Sequence, residues 1–312
     1  MSKTALLFAG QGAQVVGMGK DLAEKSPSAK AWFDRANSVL GYDLTSICFN
    51  GPETELTKTE NAQPGIFLVS WVAFELLKEH LPTLSFQATA GLSLGEFTAL
   101  AAAEAMSFED ALKLVRQRGR FMQEACETTH GSMAAIIGLE EAPTREVCAQ
   151  AGVVLANLNC PGQLVISGET EKITKACELA KTKGAKRALP LAVAGAYHSP
   201  LMASAQSKLQ AELVRVNITE PKVTVVSNVT ARPHNGADSI RSRLIEQVTS
   251  SVRWEESMRH LLADGFTCFI ELGPRTALSG FMKRIDKNAI TLNVADAESL
   301  NVTGKSVGLG SG

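Results

Sequence analysis

One pentapeptide constrains the fold more than any other stretch of the chain. Gly91-Leu92-Ser93-Leu94-Gly95 fits GxSxG, follows Gln87 to Ala90, a stretch brief enough to be a strand, and opens the alanine-rich segment Gly95 to Ala105. A short strand, a sharp glycine turn and a helix in that order are what a nucleophile elbow requires. Two flanking glycines let the backbone turn tightly enough to push the Ser93 hydroxyl outward, and the helix behind aims amides and positive dipole at it. A structural serine in a glycine-rich turn has the same local pattern. Thr4 to Ala9 repeats the theme as an apolar run closed by Gly10-Gln11-Gly12. Helical periodicity covers Ala29 to Leu40, Pro64 to His80 and Phe108 to Ala125. Strands alternating with helices predict an α/β sheet covered on both faces.

Between about Gly131 and Val193 the units shorten. Ser132 to Ile137 reads as strand, Ala142 to Ala151 as helix, Val153 to Asn157 and Gln163 to Ser167 as paired strands, Glu171 to Lys183 as helix and Lys186 to Val193 as strand. That βαββαβ order is a ferredoxin-like arrangement, read here as an insertion. The larger unit resumes with a helix at Pro200 to Arg215, a strand at Lys222 to Ser227, a helix around Ser239 to Thr249 and a strand at Cys268 to Leu272. The expected division is 1–128 with 197–300 as the large subdomain, 129–196 as the small one, and 301–312 as a flexible tail. A chain of 312 residues with 45% hydrophobic content can support two such units.

Composition removes several function classes. Thirty-one basic residues against 32 acidic ones give a net charge of -1, so no global field recruits nucleic acid or an anionic membrane. No apolar run approaches the ~20 residues of a membrane span, and the N-terminal residues lack a signal-peptide core, so a cytoplasmic protein is expected. Six scattered cysteines and five histidines lack ligand spacing, so no metal is expected.

A serine hydroxyl needs a base. His80 ends a helix, His130 sits beside glycine, His234 lies in the turn-like Arg-Pro-His-Asn-Gly, and His260 lies among charges on a helix. His198, in Gly195-Ala-Tyr-His-Ser-Pro200, stands at a strand-to-helix boundary where a side chain can project into a cleft. Taken alone it reads as a hydrogen-bonded loop residue, and Arg118, in the run Arg116-Arg118-Arg120, as part of a solvated face.

Taken together, the motifs form a resemblance. Phe8-Ala-Gly-Gln11-Gly-Ala-Gln14, Gln63-Pro64, Gly91 to Glu96, Arg116-Gln-Arg-Gly119, Tyr197-His-Ser-Pro-Leu-Met202 and Val252-Arg-Trp254, in order over residues 4 to about 295, resemble the malonyl-CoA:acyl carrier protein transacylases. The resemblance implies an α/β-hydrolase-like large subdomain with an inserted ferredoxin-like small one and the active site in the cleft between them. It implies Ser93 as nucleophile, His198 as base, and the backbone amides of Gln11 and Leu94 as oxyanion hole. Arg118 would fork onto the free carboxylate of malonate, which lysine cannot reproduce. The main-chain carbonyl of Gln247 would orient His198, and Gln63, Leu92 and Tyr197 would line the acyl pocket. The implied activity moves malonyl from malonyl-CoA to the phosphopantetheine thiol of acyl carrier protein through malonyl-Ser93, supplying fatty acid synthesis, in a monomer without cofactor. A serine esterase or thioesterase is the alternative, since the same elbow and base would serve it. A catalytically silent carrier-binding module would be expected to lack Ser93 or His198. Leu92 stands where the family often has histidine, and Ser251 where it often has proline. Lys181, Lys183, Lys186 and Arg187 are candidates for meeting an acidic carrier protein.

Overall fold

The computed structural model describes residues 3–309. The first apolar run forms β1 (Lys3–Phe8), and helices α1 (Lys20–Lys25), α2 (Pro27–Leu40), α3 (Leu44–Asn50) and α4 (Glu53–Leu56) follow it. Ser26 starts α2 by accepting from the Ala29 amide at 3.2 Å, and Gly41, at φ 73°, ends it. The next helix, α5 (Thr59–His80), is apolar on almost every side and runs through the core. It begins more than a turn before Pro64, where the sequence placed its start. Proline is favoured in the first helical turn and so reads as a beginning, yet here the ring sits inside the helix. Then come β2 (Ala88–Gly91), α6 (Gly95–Ala102) and α7 (Phe108–Thr128), the last capped by Ser107 Oγ on the Asp110 amide.

The chain next builds β3 (Gly131–Ile137), α8 (Glu141–Ala151), β4 (Val154–Cys160), β5 (Gln163–Glu169), α9 (Thr170–Thr182) and β6 (Arg187–Pro190). These strands form an antiparallel sheet of order β4-β5-β3-β6. β6 stops at Pro190, short of the Val193 expected from sequence. The period-two alternation of strands sorts its faces. Ala134, Ile136, Leu164 and Ile166 pack under α8 and α9, while Met133, Ala135, Gln163 and Val165 face a cleft.

Past β6 the segment Pro200 to Arg215, expected as one helix, divides into a 3-10 turn at Pro200–Met202 and α10 (Ala203–Leu213). β7 (Thr224–Val226), α11 (Gly236–Gln247), α12 (Trp254–Ala263), β8 (Phe266–Leu272), α13 (Ala277–Ile285), β9 (Ile290–Val294) and α14 (Ala297–Leu309) complete the described chain. Five strands make a parallel sheet of order β7-β2-β1-β8-β9. Leu6, Phe8, Ile270 and Leu272 pack on the side of α5 and α6, and Ala5, Leu7 and Phe269 on the side of α12 and α13.

The expected flexible tail from 301 is corrected by α14, which continues to Leu309; residues 310–312 lie outside the described residues. Thr303 is buried there and donates to the Asn293 carbonyl at 2.8 Å, which ties the helix to β9. Small polar residues looked frayed because this anchoring is tertiary. β1 is the centre of the parallel sheet, with β2 on one side and β8 on the other. Loops leaving the carboxyl ends of these strands diverge and open a crevice, the position at which open α/β sheets bind ligands.

Candidate active site

Ser93 leaves β2 in a left-handed conformation, φ 55°, which few side chains other than glycine adopt without strain. The motif glycines make that turn sterically possible. A Cβ on Gly91 would run into the Gly95 backbone, and one on Gly95 into the Phe8 carbonyl of β1. Asn228, just after β7, fastens the elbow from behind: its Oδ1 accepts from the Ser93 amide at 2.6 Å and its Nδ2 donates to Gly91 O at 2.7 Å. The Ser93 hydroxyl is thereby presented at the floor of a cleft of 620 Å³.

His198 is also in the left-handed region, at φ 56°, and its side chain meets the hydroxyl. Ser93 Oγ lies 2.8 Å from Nε2, and Nδ1 lies 2.8 Å from the main-chain carbonyl of Gln247. A carbonyl only accepts, so Nδ1 carries the proton and Nε2 presents its lone pair to Ser93. Burial, and then the charge of Arg118, push the imidazole down to about 4 from its usual 6.5, which keeps it neutral and basic in form at neutral pH.

Arg118, on α7, is 1% exposed. Its Nη2 donates to Ser93 Oγ at 3.1 Å and to Gln247 Oε1 at 2.9 Å, and its Nη1 to Gln63 Oε1 at 2.6 Å. The guanidinium also lies over the Phe97 ring, 5.4 Å from its centroid. Burial lowers its affinity for the proton to about 10, still far enough above neutrality for a full charge. A buried cation whose donors end on neutral oxygens is a ready receptor for a carboxylate.

Gln11 lies at the turn after β1, where Gly10 comes so close to the elbow that a Cβ would be 2.5 Å from the Leu92 carbonyl. That approach sets the turn carrying Gln11 directly against the elbow that carries Ser93 and Leu94. Gln11 Nε2 donates to Thr59 Oγ1 at 3.1 Å and to the Tyr197 hydroxyl at 3.4 Å, and Thr59 holds that hydroxyl at 2.6 Å. Tyr197 and Leu92 both line the cleft, while Gln63 is fully buried behind it. The structure thus gathers Ser93, His198, Arg118, Gln247, Gln11, Gln63, Leu92, Leu94 and Tyr197 in one place. Lys181, Lys186 and Arg187 are exposed outside the cleft, and Lys183 is paired with Glu146 at 2.6 Å.

A model of the acyl transferase domain family matches residues 5–306. The malonyl CoA-acyl carrier protein transacylase of Bacillus subtilis (strain 168) is 47% identical over 307 residues, covering 97% of this chain and 96% of that protein. The chain belongs to the malonyl CoA-acyl carrier protein transacylase family. A solved transacylase from Coxiella burnetii superposes with a TM-score of 0.94 at 39% identity, covering 97% of each chain. A malonyl-transacylase solved in complex with a type II polyketide synthase acyl-carrier protein gives 0.94 at 37% identity, covering 98% of this chain and 100% of that one.

Sequence reasoning missed part of this transacylase site. Asn157 and Asn159 of β4, both nearly buried, and Gln163 of β5 line the cleft wall opposite Ser93. Polar residues in alternation along a strand were the available signal. Asn228, Glu96 and His234 form a buried layer behind the elbow; His234 lies in a turn-like stretch of sequence, yet its Nε2 is 2.7 Å from Glu96 Oε1. Among the described residues, no cluster of three or more histidine, cysteine, aspartate or glutamate side chains could hold a metal ion, and all six cysteines are buried and free.

Proposed function

We propose that this chain transfers the malonyl group from malonyl-CoA to the phosphopantetheine thiol of acyl carrier protein, supplying fatty acid synthesis. The observation that carries the reading is Arg118 buried against the nucleophile, 3.1 Å from Ser93 Oγ. Its fork exchanges the Gln63 and Gln247 carboxamide oxygens for the free carboxylate of malonate, which sets the thioester carbonyl over Ser93. His198 Nε2 takes the hydroxyl proton as Oγ bonds to that carbonyl carbon. The negative oxygen of the tetrahedral intermediate is received by the Gln11 and Leu94 amides. Collapse breaks the carbon–sulfur bond, and His198 returns the proton to the coenzyme A thiolate. The carrier's thiol then gives its proton to His198 and its sulfur attacks the ester carbonyl; the bond to Ser93 Oγ breaks, and His198 returns the proton to Oγ.

A carbonyl rather than a carboxylate behind His198 suits this chemistry. A thiol leaves with a pKa near ~8.5, so the imidazolium needs less stabilisation than amide cleavage demands. In finer architectural terms, the parallel sheet with its elbow is an α/β-hydrolase-like subdomain, and residues 129–196 are a ferredoxin-like one inserted into it. The reaction needs no cofactor of its own.

Intact mass measurement after mixing with malonyl-CoA tests the scheme. One added malonyl group is expected, and none in Ser93→Ala. Release of coenzyme A with no adduct at any time would favour a thioesterase.

A further inference from the structure

Behind the reacting atoms lies a second layer of polar side chains with no direct access to substrate, and Glu96 is its hub. The side chain is fully buried on α6, as is that of His234. Glu96 Oε1 meets His234 Nε2 at 2.7 Å, and Oε2 accepts from Gln247 Nε2 at 2.6 Å and from the Asn228 amide at 3.2 Å.

We propose that Glu96 is a positioning residue for selecting a carboxylate-bearing acyl group, because it fixes the Gln247 carboxamide with its oxygen toward Arg118. A primary amide can rotate by half a turn and exchange its donor and acceptor ends. At Gln247 the choice is set by what lies on each side. Glu96 Oε2 and the Ser93 carbonyl, the latter at 3.0 Å, both require a donor, so Nε2 points to them. Oε1 is then left to accept from Arg118 Nη2 at 2.9 Å. The opposite rotamer would set NH2 against a guanidinium and a carbonyl against a carboxylate, two buried mismatches. Arg118 makes no ion pair with any carboxylate among the described residues. Held by carboxamide oxygens, its fork keeps its direction and still yields to the carboxylate of an incoming acyl group.

This inference rests on the reading of Arg118 given above, and four variants separate the two. Acylation of Ser93 by malonyl-CoA and by acetyl-CoA is followed by intact mass over a range of acyl-CoA concentrations, so that kcat and KM effects separate. Glu96→Asp keeps the charge but withdraws the carboxylate from Gln247. It should lower the malonyl-over-acetyl preference roughly tenfold, the worth of one charge-assisted hydrogen bond, chiefly through the malonyl KM. Glu96→Gln keeps length and an acceptor, and should hold the preference to within about threefold. Retained preference in the aspartate variant, lost preference in the glutamine variant, or a parallel fall for both acyl groups overturns the proposal. Should the aspartate variant not fold, Gln247→Met decides, since it keeps the carbonyl on His198 and removes the carboxamide; an unchanged preference there also overturns it. Arg118→Ala serves as the control. Preference that survives it refutes the carboxylate clamp itself, whereas preference lost there but kept in Glu96→Asp refutes only the role of Glu96.

Discussion

At the residue scale, the neutral imidazole of His198 has a consequence in pH. Burial and Arg118 hold its pKa at about 4 in the folded protein, against 6.5 for an unburdened histidine. The base stays unprotonated until the pH approaches the lower value, so the acid limb of kcat/KM for malonyl transfer should lie well below 6.5. A limb at 6.5 would show His198 to be solvated in the working enzyme. Stability follows the same sign. The unfolded chain takes up the proton first, so stability contributed at this site is full above 6.5 and is lost as pH falls from 6.5 toward 4. Tyr197 gives a second expectation. With its hydroxyl fixed by Thr59 and Gln11, Tyr197 is a rigid part of the cleft lining, and under the proposed function its ring would stand beside the acyl group. An added methyl should cost ~1 to 3 kcal/mol, so malonyl should be preferred over methylmalonyl by roughly tenfold to two-hundredfold. Comparable kcat/KM for the two thioesters would remove the wall. Ser93 was legible from its GxSxG elbow, whereas His198 and Arg118, which alone read as a loop residue and a solvated face, became legible only through the ordered set of motifs. Glu96, Asn228 and His234 were not, because each owes its role to partners more than 130 positions away, as in the Glu96–His234 and Ser93–Asn228 contacts.

At the scale of the element, the elbow depends on two close backbone approaches. Gly95 lets α6 start against the β1 carbonyls, with the would-be Cβ 2.9 Å from Ala9 O as well as inside the Phe8 oxygen. Neither strand nor helix can yield without moving Ser93. Gly95→Ala should destabilise the protein by roughly 3 kcal/mol or more, read from the denaturant midpoint, and should slow Ser93 acylation in whatever fraction folds. A wild-type midpoint would mean that α6 slides freely on β1. The sequence showed these glycines as turn formers; that they are also contact points needed the third dimension. The same holds for Pro64, whose usual position misled the reading of α5, and for α14, whose residues look unstructured without β9 beneath them. Short, half-exposed β9 alternates apolar and polar residues from Ile290 to Val294, so the strand itself is legible; its pairing with β8 and its role as the seat of α14 are not.

For the whole molecule, the question is how the antiparallel sheet is held over the site. Val252 pairs with β4, its amide donating to Ala156 O at 2.8 Å and its carbonyl accepting from Leu158 N at 2.9 Å. Ser251 Oγ, standing where the family often has proline, donates to Leu155 O beside it. At the far end Arg284 of α13 reaches the β4–β5 turn, donating to Pro161 O at 2.8 Å and Gln163 Oε1 at 2.9 Å. Arg284 is exposed, so Arg284→Ala should cost only about 1 kcal/mol of stability. Hydrogen exchange in the β4–β5 hairpin should nonetheless quicken, and unchanged exchange would leave the anchoring to the Ser251–Val252 segment. The split into two sheets was legible because unit length and strand spacing change near Gly131. Their mutual placement was not, since it rests on these long-range bonds and on Met133, Ala156, Val165 and Cys160 packing into the cores of the larger unit. The two crossings of the chain carry one more implication. A Cβ on Gly131 would be 2.6 Å from the Ala196 Cβ, so the strand entering the second sheet and the segment leaving it touch. The intervening chain hangs from a closed neck, and the entropy of closing a loop grows only logarithmically with its length. Side chains on its cleft face can therefore be exchanged, and loops away from β4 lengthened, with little strain on the parallel sheet. Arg118 and His198 stand on either side of the neck, which leaves the reacting atoms in register while the wall above them is free to be remodelled for other acyl donors.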